Sequence, residues 1–237
     1  GLRRLRLQIG SDGSPMLILS MADDQAPELH IDLPASVNML LSDNEPVNLI
    51  GDSHSRFQVG GREFRVTAGS FFRPHIAQLP RLVDAVLDAL DLTGQEAVLD
   101  LYGGVGLFSA FLAGRAELVT LVESYPPAVT DAESNLDEFD DVDLIEGAVE
   151  DVLPDLEERY DAAVLDPPGE GLDVAVIDSL AAMQVPRLVY VSSDPATLAR
   201  DAKRLVQQGY RLGHVQPIDL APQRYYIDCV AVLDYEG

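Results

Sequence analysis

The residues able to do chemistry sit where apolar runs end. One such end reads Val98-Leu99-Asp100-Leu101-Tyr102-Gly103-Gly104-Val105-Gly106-Leu107-Phe108. Glycines at a strand-to-helix turn let the backbone approach a ligand closely, and the helix that follows offers unpaired N–H groups. An ordinary tight turn uses the same residues. The spacing is not the G-x-G-x-x-G of dinucleotide sites. Asp100 ends the strand where a pyrophosphate would be repelled and a cation attracted. Glu123 ends the next apolar run. There it can accept both hydroxyls of a ribose, or stand as a solvated strand-end acid. An acid, a glycine bend and a second acid suit a nucleoside that carries positive charge. S-adenosyl-L-methionine, with its sulfonium and ammonium, fits that pattern.

Two later runs end in the same way, one at Leu165-Asp166-Pro167-Pro168-Gly169-Glu170-Gly171 and the other at Val191-Ser192-Ser193-Asp194-Pro195. Ligands of open parallel sheets gather at these carboxyl ends. The paired prolines stiffen the loop and fix the direction of Asp166, as they would in any rigid turn. Ser192 and Ser193 are expected at a strand tip, facing the same crevice as Asp166. Asp194 followed by Pro195 reads as a helix N-cap with proline at the first helical position.

For these ends to converge, strands must alternate with helices. Leu79, Leu82, Val83, Val86, Leu87 and Leu90 recur at helical spacing. Short apolar strands follow at Ala97–Leu101, Leu118–Val122, Val142–Ile145, Ala162–Leu165 and Leu188–Val191, with helices near 106–114, 127–138, 172–183 and 195–208. Such alternation predicts a parallel sheet covered on both faces. Leu212–Pro217 and Tyr226–Leu233 adjoin without a helix between them, which predicts an antiparallel finish. The first seventy residues read as β-rich: Leu2 to Ile9 alternates, Met16 to Ser20 is apolar, and Arg56–Val59 and Arg62–Val66 flank a Gly60-Gly61 hairpin turn. The expected organisation is a small β-rich lobe over residues 1–70, a remnant of a central or insert domain, followed by the main domain over 71–237.

Composition narrows the function classes. At 237 residues, 47% hydrophobic and 24% charged, the chain can bury a core. It has no apolar run of membrane-spanning length and no signal-peptide pattern, so a soluble cytoplasmic protein is expected. A single cysteine, Cys229, allows no intrachain disulfide, no cysteine-ligated zinc and no iron–sulfur cluster from this chain alone, and no metal site is expected. The net charge is −24. It is unevenly spread, with eight arginines against nine acids over residues 1–81 but eight basic residues against 31 acids over the rest. A polyanion would be repelled by most of the main domain. If nucleic acid binds, the Arg-bearing N-terminal face is its expected surface (Arg3, Arg4, Arg6, Arg56, Arg62, Arg65 and Arg73).

Taken together, Ala68-Gly69-Ser70-Phe71-Phe72, Val98 to Phe108, Leu165 to Gly171, Val189 to Asp201, and Asp219 through Pro222 to Asp228 resemble the RNA uracil-C5 methyltransferase family. These stretches occur in the family's order, over about residues 60 to 235. The resemblance implies an α/β, Rossmann-like class I S-adenosylmethionine-dependent methyltransferase fold preceded by the small β-rich lobe. It also implies an activity on tRNA or rRNA uridines. The family's usual N-terminal RNA-binding barrel is not among these residues, so RNA is expected to meet the Arg-bearing lobe or a domain outside this sequence.

The family's chemistry adds a cysteine thiolate to uracil C6, which makes C5 nucleophilic toward the sulfonium methyl. A carboxylate then removes the C5 proton. The resemblance carries over a cofactor set of Arg73, Asp100, Tyr102, Gly103, Gly104, Gly106, Glu123 and Asp166, and a catalytic pair of Ser193 and Asp228. Ser193 stands where the family has Cys, Asp228 where it has Glu, Arg73 where a Gln touches the cofactor, and Gly169 where an Arg is common. A serine hydroxyl is almost wholly protonated at neutral pH, whereas a free thiol is a few per cent thiolate. Two alternatives follow: a cofactor-binding pseudoenzyme, or a methyltransferase that acts on another target by direct transfer. Cys229 neighbours Asp228 in a strand, so its side chain is expected in the core.

Overall fold

Apolar runs such as Leu118-Val119-Thr120-Leu121-Val122 can bury both faces only in the middle of a layered sheet. The computed structural model, which describes residues 1–28, 30–224 and 226–237, places them there. The chain opens with β1 (Leu2–Ile9), β2 (Pro15–Met21), β3 (Ser36–Leu40) and β4 (Pro46–Ile50), paired in that order into a four-stranded sheet. A hairpin follows, β5 (His54–Val59) and β6 (Arg62–Thr67). Its turn uses Gly60 and Gly61 at φ 57° and 84°, the left-handed region that a two-residue hairpin turn of this kind demands.

From α1 (Leu79–Leu90) the strands and helices alternate: β7 (Ala97–Leu101), α2 (Ser109–Leu112), β8 (Leu118–Glu123), α3 (Pro126–Asn135), β9 (Val142–Glu146), α4 (Val149–Val152), β10 (Ala162–Leu165), α5 (Val174–Met183), β11 (Arg187–Ser192) and α6 (Pro195–Gln207). The chain ends in β12 (Tyr210–Ile218) and β13 (Asp228–Tyr235). These strands form one sheet in the order β12-β13-β11-β10-β7-β8-β9. All neighbours are parallel except β13, which runs antiparallel to both β11 and β12. The order reverses at β7, so the crevice beyond the carboxyl ends of β7 and its neighbours is the topological switch point where open α/β sheets hold ligands.

Alternate residues of the central strands serve different layers. Val98, Val119, Leu121, Val164 and Val189 pack on one side with Leu79, Leu82, Val83 and Val86 of α1. Leu99, Leu101, Val122, Ala163 and Leu165 pack on the other with Val176, Ile177 and Leu180 of α5 and Leu198 and Leu205 of α6. Each fully buried Leu or Val contributes about 1.5–3 kcal/mol of transfer free energy. The hairpin β5–β6 joins the first of these cores through Phe57, Val59, Phe64 and Val66, although a division at residue 70 counts it with the lobe.

The structure departs from the sequence pattern in its irregular parts. Strands β3 and β4 were not expected. β3 is buried at Val37, Asn38, Met39 and Leu40 alike and so shows no alternation, and Asn38 is satisfied by the Asp52 carbonyl and the Asn48 amide. The helix expected over 106–114 shrinks to Ser109–Leu112. Tyr102, Gly104 and Gly106 take φ of 60°, 57° and 83°, so the turn consumes the residues that would have formed the first helical turn.

Candidate active site

At the switch point a cleft of about 510 Å³ opens between the ends of β7, β8, β10 and β11. Among the sequence-predicted residues, Arg73, Tyr102, Gly103, Gly104, Glu123, Asp166 and Ser193 line it. Asp100, Gly106 and Asp228 do not. Phe71, Phe72, Leu107, Phe108 and Glu150 are further walls that the sequence patterns did not point to. Glu150 lies just past β9, so the strand-end rule that found Asp100 and Glu123 reaches it when applied one strand further.

The expectation that Asp100 faces a ligand is corrected. Asp100 is wholly buried behind the turn, where one oxygen accepts from the Ser109 N–H at 3.0 Å and the Ser109 hydroxyl at 2.6 Å. Its other oxygen has no hydrogen-bond partner among the described residues. Burial pushes this carboxyl up to about 7 against the pull of the two Ser109 bonds, and the charges of Asp166 and Glu123 add to the rise. Asp100 therefore braces the turn from within. Gly106 is also structural: a Cβ there would meet the Leu136 side chain at 2.8 Å.

The glycines divide the remaining work. A Cβ on Gly103 would strike Leu121 at 2.5 Å, so that residue lets the turn pack on β8. A Cβ on Gly104 would meet nothing within 4 Å, because the residue opens onto the cleft. Glu123 fastens the opposite wall: its carboxylate accepts from the N–H groups of Gly104 at 2.9 Å, Ser124 at 2.8 Å and Tyr125 at 2.7 Å. This bends the start of α3 toward the glycine turn.

Arg73 shapes the floor. Its Nη1 and Nη2 donate to the two oxygens of Asp166 at 2.6 and 2.7 Å, and its Nε donates to Asp228 at 3.0 Å. Burial opposes the guanidinium charge, but the two carboxylates outweigh it and raise its pKa. Burial raises the Asp228 carboxyl while Arg73 opposes the rise. Arg73 is thus a counter-ion to two acids as well as a wall residue, a double role the sequence did not reveal. Asp228 reaches the cleft only through it.

At the tip of β11 the paired serines part. Ser192 is buried, and its hydroxyl exchanges hydrogen bonds with the backbone of Asp194, which corrects the expectation that both face the crevice. Ser193 is exposed and lines the cleft, with no hydrogen bond to its hydroxyl among the described residues. Asp194 caps α6 by accepting from the N–H groups of Ala196 and Thr197. Cys229 is buried, and burial raises its thiol pKa.

A cleft at this switch point, glycine-floored and acid-rimmed, invites comparison with known proteins. The family model for tRNA (uracil-5-)-methyltransferases matches residues 50–235. The chain belongs to that family. A protein described as an uncharacterized RNA methyltransferase of Halalkalibacterium halodurans is 38% identical over 209 residues, covering 86% of this chain and 45% of its own length. One from Clostridium tetani is 33% identical over 247 residues, covering 95% of this chain and 54% of its own. The chain therefore spans about half the length of the relatives it matches. Among solved structures, the tRNA (uracil-54, C5)-methyltransferase of Pyrococcus abyssi in complex with S-adenosyl-L-homocysteine superposes with a TM-score of 0.77 at 25% identity, over 98% of this chain and 59% of that one. The tRNA m1G37 methyltransferase of M. jannaschii shares the fold, with a TM-score of 0.63 at 15% identity. Both the class I fold and the β-rich lobe before it are present in this member of the uracil-5-methyltransferase family. Among the described residues, no group of three or more His, Cys, Asp or Glu stands where it could hold a metal ion, and no helix is long and apolar enough to cross a membrane.

Proposed function

We propose that this chain carries the cofactor site and the methyl-transfer site of an S-adenosylmethionine-dependent RNA methyltransferase. The observation that carries the reading is the cleft itself: it opens at the switch point, Gly104 leaves space against its floor, and Glu123, Glu150 and Asp166 surround it. The donor set fits a cationic nucleoside. Glu123 keeps acceptor capacity for ribose hydroxyls beyond its three backbone bonds, Gly104 admits the ligand to the backbone, and Tyr102 offers a ring beside it. Phe108 and Leu107 give the cleft an apolar wall. When bound, the cofactor supplies an electrophilic methyl group. The chain's own residues bind it, exclude water and orient an acceptor beside Arg73, Asp166 and Ser193. We also place the boundary between lobe and methyltransferase unit nearer residue 52 than 70, because the β5–β6 hairpin shares the main core.

Titration calorimetry with S-adenosylmethionine tests the cofactor reading. Binding in the micromolar range that Glu123→Ala weakens at least tenfold supports it; an unchanged affinity removes the role given to Glu123.

A second reading of the chemistry follows from Ser193. Among the described residues no base hydrogen-bonds its hydroxyl, and the Asp228 carboxylate is engaged by Arg73, so the geometry favours transfer to the acceptor without a serine adduct. RNA containing 5-fluorouracil would be trapped covalently only where an adduct forms. Trapping by the unmodified chain would refute the direct route. Trapping gained by Ser193→Cys would show that the cleft still admits uracil.

A further inference from the structure

The eight arginines of residues 1–81 are not equivalent. Arg56 pairs with Glu63 at 2.6 Å, Arg62 with Glu138 at 2.7 Å, Arg65 with Asp131 at 3.2 Å, and Arg73 with Asp166 and Asp228. Arg3, Arg4, Arg6 and Arg81 make no salt bridge among the described residues, in a chain that carries 40 acids, and of these Arg4 and Arg6 stand together. They lie on one face of edge strand β1, opposite Ser20 and Ile18 of β2, so their Cα atoms are about 6.6 Å apart. Arg4 is exposed and Arg6 half-buried. The same face carries Ile18 and Met16, which pack on Leu40 and Ala68. The next residue, Gly69, closes against the Tyr125 hydroxyl, and the Tyr125 N–H is bound by Glu123 at the cleft. The arginine face is therefore on the side of the lobe that packs on Ala68, next to Gly69 and the Tyr125 hydroxyl. Arg6 is held below its ordinary pKa first by burial and then by the Arg4 charge, with Tyr125 opposing. Two guanidiniums crowd each other where acids are plentiful elsewhere.

We propose that Arg4 and Arg6 form a phosphate-docking strip that holds the backbone of the RNA acceptor on the side of the lobe next to Gly69 and Tyr125. The proposal rests on the RNA reading above and adds the surface. Most of residues 82–237 repels a polyanion, so two neighbouring guanidiniums without ion pairs decide both where RNA settles and which way its strand runs. Phosphate contacts set register and orientation without reading sequence, which leaves base choice to the cleft.

The test is fluorescence anisotropy of the full chain with a fluorescein-labelled RNA hairpin bearing a uridine in its loop, titrated from about 0.05 to 0.3 M NaCl. Each single-strand phosphate contact contributes about 0.7 to the slope of log affinity against log salt. The double variant Arg4→Gln/Arg6→Gln should lose about 1.4 of slope and bind about 25-fold more weakly at 0.1 M NaCl. Circular dichroism should be unchanged. Arg56→Gln, a control at a paired arginine, should keep the wild-type slope. Equal slopes in wild type and double variant overturn the strip and leave the RNA reading standing, whereas no RNA binding by the wild type overturns both. Displacement of the RNA by inorganic phosphate at matched ionic strength would make the strip a small-anion site and also overturn it.

Discussion

Arg73 holds two carboxylates that lie 93 and 155 residues away in sequence. No pattern in the sequence joins those positions; only the sheet order does. Its environment sets a testable cost. In Arg73→Met, Asp166 and Asp228 face each other in a largely buried site without a counter-ion, and one of them must take up a proton. Breaking such a triad costs about 3–5 kcal/mol. A carboxyl whose folded-state pKa is raised loses stability above its ordinary range and regains it as pH falls. The deficit of Arg73→Met against wild type should therefore be largest near pH 7.5 and shrink toward pH 4 in urea titrations; a constant deficit refutes the account. Asp100 gives a second case. The sequence showed a strand-end acid, but only the structure shows it sealed behind Ser109. With its carboxyl at about 7 in the folded state, the native chain binds more protons than the unfolded chain between about pH 4 and 7. Asp100 thus makes stability fall with rising pH across that window. Asp100→Asn should flatten that fall, and an unchanged slope would contradict the burial of the charge.

The regular elements were legible because their patterns are local. The face of α1 repeats at helical spacing, the hairpin announces itself with Gly60-Gly61, and the cap of α6 with Asp194-Pro195. The turn after β7 was legible as a turn, yet the duty of each glycine was not, because it depends on what lies across the chain. This distinction can be measured. Gly103→Ala would drive a methyl into Leu121 in the core, so it should lower stability by about 1–3 kcal/mol, the usual range for overpacking. Gly104→Ala meets no neighbour and carries only the strain of φ 57°, about 1 kcal/mol. Its methyl would nevertheless stand in the cleft. Thermal unfolding should rank Gly103→Ala as the less stable, whereas calorimetry with S-adenosylmethionine should rank Gly104→Ala as the weaker binder. The opposite ranking in either measurement would reverse the assignment of the two residues.

At the scale of the molecule, charge is the property that composition revealed and pairing modifies. Residues 82–237 hold 31 acids against eight basic residues, and folding brings that excess together. Several ion pairs offset it, among them Arg187–Asp234, Arg211–Asp234 and Arg62–Glu138. Exposed pairs of this kind are worth only about 0–1 kcal/mol each, so unscreened repulsion among the remaining acids outweighs them. Salt shortens the range of that repulsion to about 10 Å at 0.1 M and about 3 Å at 1 M. The unfolding midpoint should therefore rise by a few °C between about 0.05 and 1 M NaCl, corresponding to about 1 kcal/mol, and KCl should act alike. A midpoint that falls would mean that the ion pairs dominate. Over the same range, affinity for RNA should fall, because it depends on Arg4 and Arg6 of β1 rather than on the acidic excess. Stability and RNA binding should thus respond to one salt in opposite directions. A chain whose RNA affinity rose together with its stability would not be held to RNA by arginine–phosphate contacts.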